Sequence, residues 1–125
     1  MENEIFRSLS GVLVHHLGAS TPLVSGTGVR FKSERKGKAT LYHDTIAAGN
    51  QAEVAFEVAS MARRLHMTEA EFRSFVAHLS ELTGRHVESN SQYNWLRIGV
   101  ASLAHATLID EALWQRLRPL TEGLP

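Results

Sequence analysis

The sequence predicts a mainly helical single domain over residues 1–125, a bundle of four to five helices with a small β-hairpin after the first. Three observations lead there. Apolar residues recur at helical spacing in most segments. Residues of capping type stand where several of those segments begin. Only one stretch, Gly28 to Asp44, alternates with the period of two that strands require.

Residues Glu4 to Leu17 place Ile5, Leu9, Val12, Leu13 and Leu17 on one helical stripe, with Gly18 as the stop and Pro22 beyond it. In the next segment Val29 and Phe31 alternate with Arg30 and Lys32, and Leu41 alternates with Thr40 and Tyr42 across a polar turn. An isolated hairpin is marginal in water, so this one must lie on the helices. Asn50 and Glu53 have capping-box residue types ahead of a stripe of Val54, Val58, Met61 and Leu65, which predicts a second helix. Thr68 and Glu71 cap a third, whose stripe is Phe72, Phe75, Val76, Leu79 and Leu82 and whose stop is Gly84. A helix from about Ser91 to Ala106 is apolar around much of its circumference and is expected to be the central buried element. Thr107 with Asp110 caps a last helix that Pro119 ends.

At 43% hydrophobic and 21% charged residues the chain has the composition of a globular domain with one core. Its 13 basic residues balance its 13 acidic ones, which argues against a surface committed as a whole to nucleic acid or anionic membrane. The absence of cysteine excludes disulfides, zinc–thiolate sites and thiol nucleophiles. Val12 to Val14, followed by His15 and His16, makes a poor signal-peptide core. The apolar stretch from Leu96 to Ile109 is too short to span a bilayer. A cytoplasmic location is expected, with no membrane partner.

No catalytic, cofactor-binding or metal-ligating set emerges. Adjacent His15 and His16 would point about 100° apart on a helix, and no paired metal-ligand spacing occurs among the seven histidines. Glu53 and Glu57 would stand one turn apart without the Glu-x-x-His that di-iron bundles need. His105 reads as a hydrogen-bonded core histidine. Gly26-Thr-Gly28 lacks the rest of a phosphate loop, and no Gly-x-Ser-x-Gly elbow occurs.

Two features point to binding. Arg30, Lys32, Arg35, Lys36 and Lys38 crowd the hairpin and include every lysine in the chain. Such a ribbon suits phosphates or the acidic face of a partner protein, or else serves as a solvated turn whose charges discourage edge aggregation. The second is the run Met61 to Phe75 within residues 54–84. Ala62 is the small residue of a first helix, Met61, Leu65 and Met67 flank a turn, and Phe72 and Phe75 follow on a second helix. This run resembles a helix-turn-helix DNA-binding unit, and with the Leu-Thr-Gly at 82–84 it is similar to the first such unit of AraC-type regulators. The resemblance implies a second helix lying in the major groove. Arg63, Arg64, Arg73 and the hairpin cations would then touch phosphates, with Thr68 and Arg73 nearest the bases.

The expected function is that of a small non-enzymatic protein-binding module (an adaptor, chaperone or inhibitor, of the kind mobile elements encode). It would act through the basic hairpin and the helical surface, with Tyr93, Trp95 or Trp114 in an exposed aromatic patch. Neutral charge over the whole chain and the acidic Glu69 and Glu71 at the start of the second helix rank this ahead of a DNA-binding regulator. A homodimer is compatible with both. A small-ligand binder or enzyme would need a pocket that only coordinates reveal.

Overall fold

The computed structural model describes residues 4–18, 20–22, 26–33, 37–44, 46–90 and 94–122. Along the chain run α1 (Glu4–Leu17), β1 (Ser20–Pro22), β2 (Gly28–Ser33), β3 (Gly37–Tyr42), β4 (Ala52–Glu57), α2 (Val58–Arg64), α3 (Glu69–Thr83), β5 (Val87–Asn90), β6 (Trp95–Val100) and α4 (Leu103–Glu122). The strands form one six-stranded sheet in the order β1-β2-β3-β4-β6-β5, with every neighbouring pair antiparallel. The fold is therefore α+β, and the expected helical bundle is corrected.

Two predicted helices contain the strands that change the fold class. In β4, Ala52, Val54 and Phe56 point to the core while Glu53, Ala55 and Glu57 point away, a period of two. In β6, Leu96, Ile98 and Val100 alternate with Trp95, Arg97 and Gly99. The helical stripe read from Val54 onward is real only after Val58, where α2 begins directly on the end of β4. The Val58 N–H, an orphan donor at that helix start, is taken by the Asn94 carbonyl at 2.9 Å. Nor does the last helix start at Thr107. It begins at Leu103, with the Ser102 hydroxyl accepting from the His105 N–H at 3.3 Å, and it continues past Pro119 to Glu122.

Other elements follow the sequence closely. Helix α1 spans Glu4–Leu17 and closes with the Gly18 N–H on the Val14 carbonyl at 2.8 Å. The hairpin forms as β2–β3, in register from Gly28↔Tyr42 to Ser33↔Gly37. Helix α3 carries a complete capping box. The Glu71 N–H donates to Thr68 Oγ1 at 3.1 Å, and the Thr68 N–H donates to Glu71 Oε1 at 2.9 Å. Glycine at 84 takes the left-handed conformation that ends it. Replacing Thr68 with alanine removes one of these caps and is expected to cost about 1 kcal/mol in a denaturant melt, with the sheet unchanged.

One core joins the layers. Rows Phe31–Ala39–Phe56–Leu96 and Val29–Leu41–Val54–Ile98–Val87 line one face of the sheet. Phe6, Leu9 and Leu13 of α1, Met61 of α2, Phe72, Val76 and Leu79 of α3, and Ile109 and Leu113 of α4 close over that face. All four helices thus contribute to the same side of the sheet. A polar tie also crosses the helical layer, where buried His16 Nε2 stands 2.9 Å from Asp110 Oδ1. Burial pushes the His16 imidazole below its ordinary value, against the opposing pull of Asp110.

Candidate functional site

None of the described helices covers the other face of the sheet, where side chains fall in rows fixed by the strand register. The middle row crosses the strands as Arg30, Thr40, Ala55, Arg97 and Glu88. On one side of it lie Tyr42, Glu53 and Gly99; on the other lie Glu57 and Trp95. Thr40 and Ala55 are short, and their neighbours Tyr42, Trp95 and Arg97 are long. A groove of about 450 Å³ results, floored by the short pair and walled by the long ones, with Arg30 at one end and Glu88 at the other.

The Tyr42 wall is held by a connected polar network. Glu53 is buried, and its carboxylate is nearly saturated. Oε2 accepts from the Ala47 N–H at 2.7 Å and from Asn50 Nδ2 at 2.6 Å, while Oε1 accepts from Arg97 Nε at 2.5 Å. The Arg97 guanidinium lies 3.9 Å above the Tyr42 ring, a cation–π stack that fixes both side chains. Asn50 Oδ1 in turn accepts from Arg85 Nε at 2.7 Å, and Arg85 Nη2 reaches the Ala48 carbonyl at 3.2 Å. Burial by itself raises the Glu53 carboxyl. The Ala47 and Asn50 hydrogen bonds, with the bond and charge of Arg97, together hold it below its ordinary value of 4.5. Arg97 is therefore a compensated cation, oriented rather than free.

Glycine at 99 is what lets this network form. A Cβ at that position would stand 2.3–2.5 Å from the Asn50 side chain. Gly99→Ala is expected to displace Asn50, break its bonds to Glu53 and Arg85, and cost about 1–3 kcal/mol. Thermal denaturation of the variant beside Asn50→Ala checks this. The double variant should cost less than the sum of the two singles, because both remove the same contacts.

The predicted binding residues divide between the two layers. Arg30 is exposed on the open sheet face, and Lys38 Nζ lies 3.7 Å from Glu57 Oε2. Lys32 is the register partner of Lys38. Arg35, Lys36 and Tyr93 lie outside the described residues, as does the side chain of Trp114. Arg63 and Arg64 sit on α2, exposed and half-buried respectively, and Thr68 is spent on the α3 cap. Arg73 is exposed on α3, where its Nη2 donates to Asn94 Oδ1, and Asn94 Nδ2 donates to Glu69 Oε1 at 2.9 Å. The turn between α2 and α3 puts His66 at φ +55°, and Met61, Ala62, Leu65, Phe72 and Phe75 enter the common core. Hairpin cations and helix arginines therefore do not form one surface.

Of the expected aromatics, Trp95 does reach the site, half-buried as a groove wall. Tyr42, Glu53, Ala55, Glu88 and Arg97 are site residues that the sequence reading did not single out. Their signal was the outward half of the alternation, in β4 and β6 for Glu53, Ala55 and Arg97 and in β3 and β5 for Tyr42 and Glu88. Among the described residues no cluster of three metal-ligating side chains occurs, and no helix is long and apolar enough to cross a membrane. Comparison with protein-family models, curated proteins and solved structures gave no match.

Proposed function

We propose that this chain is a non-enzymatic protein-binding module whose docking surface is the open face of the sheet. The observation that carries the reading is the groove itself. It has small residues on its floor and a pre-oriented aromatic and cationic wall, on a sheet whose opposite face is committed to the core. Aromatic and arginine side chains flanking a small-residue floor are the chemistry of protein interfaces, where such groups anchor a partner at low entropic cost. Mixed charge along the groove and neutrality overall favour a polypeptide over a uniformly anionic backbone.

A photo-crosslinking amino acid at position 88, on the open face at the groove end, is compared with one at position 77, on the outward side of α3. Protein adducts are expected from position 88, and they should vanish when Tyr42 and Trp95 are replaced with alanine. Adducts from position 77 alone would overturn the reading. So would salt-sensitive duplex DNA binding lost in Arg73→Ala, which would restore the helix-turn-helix alternative built on Arg63, Arg64, Thr68 and Arg73.

A further inference from the structure

We infer that the groove selects an extended peptide of defined polarity, with an acidic side chain at one end and a basic one about six residues away. This rests on the protein-docking reading above and adds the chemistry of the occupant. Three cationic or anionic side chains lie along the middle row, and they are not equivalent. Arg97 is neutralised by Glu53 at 2.5 Å and pinned on Tyr42. Arg30 and Glu88 are both exposed, and neither has an ion-pair partner among the described residues. The groove is therefore cationic at its β2 end, anionic at its β5 end and compensated between.

The register sets the spacing between those ends. From β2 to β5 the row crosses four inter-strand steps, β2-β3-β4-β6-β5. At about 4.8 Å per step this is ~19 Å, the span of roughly six residues of extended chain. A helix would need about twelve residues for the same distance. Over the floor the occupant meets Thr40 and Ala55, both buried and short, so Thr, Val or Ser side chains fit there. Opposite charges at the two ends fix which way the segment lies.

Fluorescein-labelled peptides with a Thr/Val/Ser background test this by fluorescence anisotropy at low salt. One carries aspartate and lysine six residues apart, one carries aspartate at both positions, one lysine at both, and one serine at both. The aspartate–lysine peptide should bind wild-type protein about tenfold more tightly than either like-charged peptide, with the gap shrinking as salt rises. Arg30→Glu should transfer the preference to the lysine–lysine peptide, and Glu88→Arg to the aspartate–aspartate peptide. Both positions are exposed, and circular dichroism confirms that each variant folds. Equal binding of all four peptides, or a preference that neither reversal moves, overturns the polarity inference and leaves the docking reading intact. Absence of peptide binding while position 88 still captures a partner also overturns it alone. Failure of both experiments removes both.

Discussion

Replacing Glu53 with alanine is expected to lower stability by about 2–4 kcal/mol, more than any other polar substitution on the open face. Its carboxylate is the common acceptor for the Ala47 N–H, the Asn50 amide and the Arg97 guanidinium, and all three lose a partner at once. The partly exposed Arg97 recovers some hydration, which keeps the cost below that of a fully buried orphaned charge. The variant should also loosen the 46–50 segment and release Arg97 from Tyr42, and both changes are visible in amide exchange. Acid provides an independent check. Because the folded carboxyl sits below its ordinary value, its contribution is complete above about pH 4.5 and is lost as pH falls through the lower folded value. The stability gap between wild type and Glu53→Gln should therefore narrow on acidification below 4.5. A gap that widened there would contradict the network.

The second large effect is expected at Phe56, where alanine should cost about 3–5 kcal/mol. Its ring is fully buried at the centre of β4 and meets Phe72 of α3 edge-on at 6.0 Å. It also shares a row with Phe31, Ala39 and Leu96, so its loss opens a cavity beneath both sheet and helix. Urea titration of Phe56→Ala, Val54→Ala and Glu57→Ala separates strand from helix. Strand β4 predicts large losses at 54 and 56 and a small one at 57, where the side chain faces outward to Lys38.

Why the sequence misleads at β4 is visible in its residues. Val54 begins a helical stripe with Val58, Met61 and Leu65, and it also lies in the alternation Ala52, Val54, Phe56. The two periods share one residue and meet at Val58, where strand passes directly into helix without a turn signal. Four of the six residues of β4 are also of helix-favouring type, Ala and Glu, so propensity reinforced the wrong period. In β6 the outward residues are Trp95, Arg97 and Gly99, and the apolar Trp disguised the alternation as an all-round apolar helix. Where a cap and a stop bracket a segment unambiguously, as at Thr68, Glu71 and Gly84, the boundaries were legible.

Only part of the candidate site is legible in local pattern. Arg30 and Lys38 stand out as charge on a hairpin, whereas Arg97 and Glu53 gain meaning only through a pairing that joins β4 to β6 over a long separation in sequence. Local pattern carries no information on that register. The β2–β3 hairpin lies at one end of the open sheet face. Its Lys38 is paired with Glu57, and its Arg30 points along a row that ends in an acid.

The claim that the open sheet face is the docking surface is tested most directly by amide and indole chemical shifts on binding the partner captured through position 88. Perturbations should concentrate at Arg30, Thr40, Ala55, Trp95, Arg97 and Glu88, with the outward residues of α3 unmoved. Shifts confined to Arg63, Arg64 and Arg73, with the groove silent, would contradict the account.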